Sequence, residues 1–345
     1  MATIDDVARM AGVSKSTVSM AFSKKRPISR QVTEKVFRAA KELGYYPNHV
    51  ARSLAIRKTM IAGLRIPLPP DGYITAFESQ LINGVIKECS RQGYRVLLDN
   101  LPELDDPAQF SQDPVDGLIM LNPRTNDPRI ERYGQMGIPF VSVGRPDPFD
   151  ESMSYVDNNN AEVAYQIGDY LLRNGHRSVF FLNASADMTV AHDRQSGLKD
   201  VFRRYGVPFP EENIIHFSHR LFANGADYGY LSIRDTFGKL HYSAVVTDTD
   251  RVAFGALRAA RELGIEVPKE LSVIAFSNDT TLSQDMNPRL TSVELSANRL
   301  GEEAAKLLIE KMRDMSVNRQ VIIPASLVIG ETCCVQSRSL TNNEE

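Results

Sequence analysis

Among 345 residues there is no tryptophan, and cysteine occurs three times. That is too sparse for a disulfide framework. Cys333 and Cys334 are adjacent and lack a second Cys/His pair at metal-ligand spacing, so no metal site is expected. Cys89 falls within a helical pattern and reads as core. No apolar run approaches the roughly 20 residues that cross a bilayer. The first residues carry a helix pattern where a secretory signal needs an apolar core. The expectation is a cytoplasmic, reduced chain with no membrane role. Also missing are a G-x-S-x-G nucleophile elbow, a G-x-x-x-x-G-K-[S/T] phosphate loop and an H-E-x-x-H zinc motif. Six histidines are scattered without motif partners. These gaps argue against an enzyme, and no catalytic residue, cofactor or metal is assigned.

Charge is present, and it is unevenly placed. The formal net charge is −3, but residues 1–60 hold 12 Lys/Arg against 4 Asp/Glu, leaving 28 basic and 39 acidic side chains for the remainder. A basic head on an acidic body is the footprint of a phosphate-binding module. Within that head, Thr3-Ile-Asp-Asp6 has the outline of a capping box, and Ile4, Val7, Ala8 and Ala11 follow at helical spacing. Gly12 suits a sharp turn. Ser14 caps a second helix, Lys15 to Phe22, with Val18 and Ala21 or Phe22 inward. Lys24, Lys25, Arg26 and Pro27 make a basic loop. Ser29 caps a third helix expected to bury Val32, Val36, Phe37, Ala40 and Leu43, which Gly44 ends. Two helices joined by a short glycine-containing turn and closed by a third form a helix-turn-helix. Its second helix would lie in the major groove, with Lys15, Ser16, Thr17, Ser19 and Met20 at base edges and Thr3 and Ser14 at the helix starts completing the DNA-contacting set. The duller reading is a small bundle without a nucleic-acid partner, and the charge imbalance weighs against it.

The ordered stretches TIDDVARMAGVSKSTVS, TEKV and LGYYPNHVARSLA resemble, without gaps and over more than 50 residues, the head of the lactose-repressor/galactose-repressor (LacI/GalR) family. The resemblance implies a dimeric transcription regulator on double-stranded operator DNA, with a sugar-binding-protein-like body. It also implies a hinge helix over Asn48 to Ala55 that folds on DNA, where Asn48, Ala51 and Arg52 contact the duplex and Leu54 enters the minor groove. A helix of about eight residues is unstable alone in water, and an apolar wedge between base steps kinks the duplex. Leu54 could instead be a linker residue packed on the body. One position departs from the family pattern. Many members carry arginine where this chain has Met20, and methionine makes only apolar contacts, for instance to a thymine methyl.

Beyond a short polar link at 56–60, strands alternate with helices. Ile61–Pro67 reads as a strand, Phe77–Gln92 as a helix, and Arg95–Leu98, 115–121 and 138–143 as strands. Later come a helix at Ala161–Asn174, a strand at 178–182, a helix at Arg194–Tyr205 and a strand at Ala244–Thr247. A helix at Val252–Leu263, a strand at 271–276, a helix at Asn298–Met312 and a strand at Ser326–Ile329 follow. Repeated β-α order implies parallel sheets covered on both faces, in two lobes. The family resemblance continues through VDGLIM, IPFVSVGR, YVDNNN and LLRNGHRSVFFL to NPRLTSVELSANRLG. It implies two Rossmann-like lobes of periplasmic-binding-protein type with three crossovers, placed near 158–160, 288–292 and 322–324. The expected fold is thus an α-helical helix-turn-helix head (1–46), a hinge and linker (47–60) and an α/β effector-binding and dimerisation body (61–345). Lobe 1 takes about 61–159 and 291–322, and lobe 2 about 160–290 and 323–340. The proline-rich stretch from Asp99 to Pro114 is shorter than in many members.

Ligands of open α/β sheets sit beyond the C-terminal strand ends. Candidate effector contacts are therefore Tyr73, Phe77, Arg145, Asp157, Arg194, Phe222, Asp250 and Asn278, with Asp248 and Ser277 nearby. Arg, Asp and Asn suit sugar hydroxyls, and aromatic rings suit apolar sugar faces. Alternatives stay open. Asp157 could order the crossover, Asp250 could cap the helix before Val252, and Tyr73 and Phe77 could be core. Arg194 matches a family effector arginine. Glu78 stands where the family often has an aromatic. The GR and VDNNN stretches resemble maltose-type repressors, favouring a small sugar or oligosaccharide effector, with a purine-type effector or a solute receptor without DNA role as rivals. Some relatives also use a protein co-regulator.

Overall fold

In a computed structural model, residues 2–23, 28–46, 58–67, 74–99, 114–277 and 287–336 are described, and the chain divides into two units, Met1–Met60 and Ile61–Glu345. In the first, α1 (Ile4–Ala11) opens on a complete capping box. The Thr3 hydroxyl accepts the Asp6 N–H at 3.3 Å, and the Asp6 carboxylate accepts the Thr3 N–H at 2.9 Å. Gly12, at φ 67°, ends the helix in the left-handed region that favours glycine. The Ser14 hydroxyl then accepts the Thr17 N–H at 3.1 Å, starting α2 (Lys15–Ser23). Ser29 caps α3 (Arg30–Glu42). Val7, Ala8, Val18, Ala21, Val36, Ala39 and Ala40 form the core between the three helices. Phe37, expected inside, is 40% exposed and sets its ring edge-on against Phe22 at 5.2 Å. The stripe through Val32, Val36 and Ala39/Ala40 already fills the inward face of α3, and Phe37 falls one position beside it. The basic loop at Lys24–Pro27 and the hinge segment Asn48–Ala55 lie outside the described residues.

The second unit holds two six-stranded sheets. The first runs in the order β11 (Gln320–Ile322), β5 (Tyr155–Asp157), β4 (Phe140–Val143), β3 (Gly117–Leu121), β1 (Ile61–Arg65), β2 (Arg95–Asp99). The second runs β12 (Ser326–Val328), β10 (Thr291–Glu294), β9 (Ser272–Ala275), β8 (Ala244–Thr247), β6 (Val179–Asn183), β7 (Ile214–His216). The central strands 117–121, 179–183, 244–247 and 272–275 are buried throughout, as strands covered on both faces must be. The pairings are parallel except that of β12 with β10, which is antiparallel.

The helices are α4 (Ala76–Arg91), α5 (Pro128–Gln135), α6 (Asn160–Arg173), α7 (Thr189–Arg204), α8 (Gly225–Thr236), α9 (Asp250–Glu262) and α10 (Ala297–Arg313). They pack as the pairs α4/α10, α6/α7 and α8/α9. The α4/α10 crossing depends on glycine. A Cβ on Gly84 would lie 2.0 Å from the Asn298 carbonyl oxygen, and one on Gly301 would lie 2.2 Å from that of Leu81.

Two expectations need correction. Residues 291–294 were assigned to the first lobe, but they form β10 of the second sheet. The middle crossover therefore falls at Leu295–Ser296, where the chain leaves for α10 on the first lobe. Leu290, Val293 and Leu295 bury in the second lobe, and that burial fixes the strand there. Helix α7 starts at Thr189, five residues before Arg194. Its N-cap, Met188, makes no side-chain hydrogen bond, so no capping residue marks the start. Helices α5 and α8 and the short strands β5, β7, β10 and β11 are additions to the sequence reading.

Candidate DNA-reading helix and effector cleft

Helix α2 presents a hydroxyl cluster at its start. Ser14 Oγ lies 2.7 Å from Ser16 Oγ and 2.8 Å from Thr17 Oγ1. Ser16 and Ser19 are exposed, whereas Thr17 and Met20 are half-buried. Lys15 Nζ reaches Asp5 Oδ2 at 2.9 Å, with both side chains more than half exposed. A pair so exposed is weak, so its ammonium can exchange Asp5 for a phosphate at little cost. Thr3 is exposed, but its hydroxyl already donates to Asp6 at 2.7 Å. Asn48, Ala51, Arg52 and Leu54 lie outside the described residues.

In the body, the C-terminal ends of the two sheets supply one connected polar chain. Asp157, the last residue of β5, is 9% exposed, and its carboxylate accepts three hydrogen bonds. These come from the Arg145 N–H (3.1 Å), the Asn158 N–H (2.8 Å) and the Asn160 side-chain amide (3.0 Å). Burial pushes its pKa up to about 7 against the pull of the backbone donors. Asn160 carries the chain onward, because its carbonyl accepts from Arg194 Nε at 3.3 Å. Arg194 is 6% exposed, pairs with Asp248 at 2.5 Å and lies over the Phe276 ring at 4.2 Å. Burial raises the Asp248 pKa while the guanidinium opposes it. Arg145, following β4, makes a two-pronged contact with Asp193 on α7, at 2.6 and 3.2 Å. That ion pair joins the two lobes.

The structure thus brings Arg145, Asp157 and Arg194 together. Phe77, at the start of α4 in the first lobe, packs against the hydrophobic cluster of the second. Its neighbour Glu78 is committed to the α4 capping box, accepting from the Thr75 N–H and hydroxyl, and burial raises its pKa. Asp250 is the first residue of α9 and not its cap, because Thr249 supplies the capping hydroxyl. It is buried, and its N–H donates to Ser277 Oγ at 3.2 Å. Phe222 contacts Tyr228 (4.7 Å) and Phe217 (6.3 Å) in an aromatic cluster within the second lobe. Tyr73 and Asn278 lie outside the described residues. Sequence reasoning did not assign Asn160 or Asp193. The third asparagine of VDNNN was a usable signal, since an amide can donate to one charged group while accepting from another. Among the described residues no group of three or more His, Cys, Asp or Glu could hold a metal ion, and no helix is long and apolar enough to cross a membrane.

Residues 3–48 match the family described as bacterial regulatory proteins, lacI family, and residues 169–333 match the periplasmic binding protein-like domain. The chain is 31% identical over 330 residues to the ribose operon repressor of Escherichia coli (strain K12), spanning 93% of this chain and 96% of that one. It is 30% identical over 341 residues to the HTH-type transcriptional repressor PurR of Vibrio vulnificus (strain CMCP6), spanning 96% and 98%. Among solved structures, the transcriptional regulator CelR–cellobiose complex superposes with a TM-score of 0.72 at 25% identity, over 96% of this chain and 100% of that one.

Proposed function

This chain belongs to the lacI family of bacterial regulatory proteins, and from that premise we propose that it is a transcriptional repressor whose grip on operator DNA is set by a neutral sugar held between its two body lobes. The single observation that carries the effector reading is the buried chain Asp157–Asn160–Arg194–Asp248, joined by Arg145, at the strand ends of both lobes. Hydroxyl groups both donate and accept, which suits alternating carboxylates and guanidiniums. An anionic ligand such as a sugar phosphate would face Asp157, Asp193 and Asp248 together. A flat base would have to compete with Arg194 for the Phe276 ring. Both arguments favour a neutral sugar. The ribose and cellobiose named for relatives join maltose as first candidates.

In this reading the chain acts as a homodimer. Two α2 helices on one two-fold axis read two half-sites of a pseudo-palindromic operator, with Lys15, Ser16, Thr17, Ser19 and Met20 at base edges and the hinge segment, including Leu54, in the minor groove. Effector binding shifts the lobes and with them the spacing of the two hinges, a coupling of about 1–3 kcal/mol in such systems. The test is selection from a randomised palindromic DNA pool at fixed salt, with and without maltose, cellobiose or ribose. A two-fold symmetric site whose affinity changes with one sugar is the expected result. Failure to enrich any symmetric site in all conditions would overturn the repressor reading. Replacing Arg194 by alanine should abolish the sugar response and leave operator binding unchanged; a retained response removes Arg194 from the effector site.

A further inference from the structure

Two loops meet across the lobes. One, 122–127, leaves the C-terminal end of β3 in the first lobe, and the other, 184–188, leaves β6 in the second and leads into α7. The Thr125 N–H donates to the Asp187 carbonyl at 2.8 Å, and the Thr189 N–H donates to the Pro123 carbonyl at 3.2 Å. Arg124 and Met188 pair between them as an antiparallel bridge. The Arg124 guanidinium closes on the Asp187 carboxylate at 3.1 Å. The loops therefore form a short strand-like ladder between lobes that sequence joins only through the distant crossovers.

The first-lobe loop is braced to hold this shape. The Asp127 carboxylate accepts from the Arg124 and Arg129 N–H groups and from the Arg129 guanidinium, which also reaches the Leu121 and Asn122 carbonyls. Burial pushes the Asp127 pKa up, but the guanidinium and the other donors outweigh it and hold the carboxyl below its ordinary range. Asn122 and Asn126 take left-handed backbone at φ 51° and 52°, a conformation asparagine tolerates better than most residues. The Asn126 N–H is tied to Asp147 at 3.0 Å. None of these groups belongs to the Asp157–Arg194 chain, yet Thr189 begins the helix that carries Asp193 and Arg194.

We propose that these loops form an interlobe clasp in which Arg124 and Asp187 are positioning residues, setting how far the lobes stay closed and hence how firmly Arg194 is presented to the effector. A proximity contact between lobes exists in one arrangement and is lost when they part, so it biases a two-state equilibrium. Apparent effector affinity then scales with the closed fraction. The proposal rests on the effector reading above for its consequence, but not for its geometry.

The experiment uses the full-length chain with Cys334→Ser and dye pairs at Glu131→Cys and Asp200→Cys, one on each lobe. Arg124→Asp should lengthen the inter-dye distance, and Arg124→Asp combined with Asp187→Arg should restore it. In parallel, calorimetric titration with maltose, cellobiose and ribose should show the sugar that binds the parent chain bound on the order of tenfold more weakly by Arg124→Asp. The charge-swapped pair should recover to within about threefold. An unchanged distance in Arg124→Asp, or a swap that restores neither distance nor affinity, overturns the clasp. If no sugar binds the parent chain, the effector reading falls, and the distance measurement still decides the clasp.

Discussion

Asp157 shows how burial turns an ordinary carboxyl into a pH-dependent one. Its pKa in the folded chain is about 7 against an ordinary 3.8. Between roughly pH 4 and pH 7 the folded form holds a proton that the unfolded form has released. Linkage then makes stability from this group fall as pH rises through that window. Thermal melts at pH 5 and pH 8 should therefore show a larger loss in the parent chain than in Asp157→Asn, which carries no such proton. Equal losses would mean that the carboxyl ionises normally. Position was legible at this scale, but partnership was not. Arg145, Asp157 and Arg194 could be placed at strand ends and in a family pattern. That Asn160 links two of them, and that Asp193 reaches Arg145 from the other lobe, depends on contacts between segments 34 and 48 residues apart. No local spacing reports such contacts. At Phe222 and Asp250 position alone is silent, since proximity to a strand end does not decide whether a side chain starts a helix, joins an aromatic cluster or faces a ligand.

For whole elements, the readable ones announced themselves by caps and periodicity. Helix α1 has its Thr3–Asp6 box, α4 its Leu81, Ile82, Val85 and Ile86 at helical spacing, and the buried strands are apolar runs, whereas the Thr75–Glu78 box of α4 emerges only in the structure. Helix α7 lacks a capping side chain and was read as starting late, while β5, β7 and β11 span three residues each, too short for a period-2 signal. Packing between elements supplies a further test. Gly301 faces backbone in α4, so Gly301→Ala must push two helices apart, costing about 1–3 kcal/mol by overpacking against a gain of at most about 1 kcal/mol in helix propensity. The melting temperature should drop by several degrees. Gly134→Ala is the control, because its Cβ would meet open space and helix propensity should make it neutral or stabilising. A Gly301→Ala chain as stable as the control would show that the α4/α10 crossing yields easily.

Across the whole molecule, charge and topology divide the labour. Residues 1–60 carry the excess of Lys/Arg and the body carries the excess of Asp/Glu. DNA affinity should therefore rest on the head's phosphate contacts. Raising salt from 50 to 200 mM should weaken operator binding by about 1,000-fold, as expected for half a dozen or more neutralised phosphates. A flat salt titration would place the affinity elsewhere. The α/β class and the presence of two lobes were legible because βα alternation is a local pattern. The middle crossover was not, because Thr291–Glu294 is a strand that either sheet could have accepted, and only burial of Leu290, Val293 and Leu295 decides between them. That same crossover imposes an order on biosynthesis. The second lobe has most of its sheet once the chain has reached Glu294, and its edge strand β12 and the buried Thr332–Cys333 segment follow later. The first lobe must wait for α10 and β11, made after the second lobe's helices and β6–β10. During translation the later lobe can therefore pair most of its sheet before the earlier one closes, leaving the α4 face around Gly84 uncovered until residues 297–313 leave the ribosome.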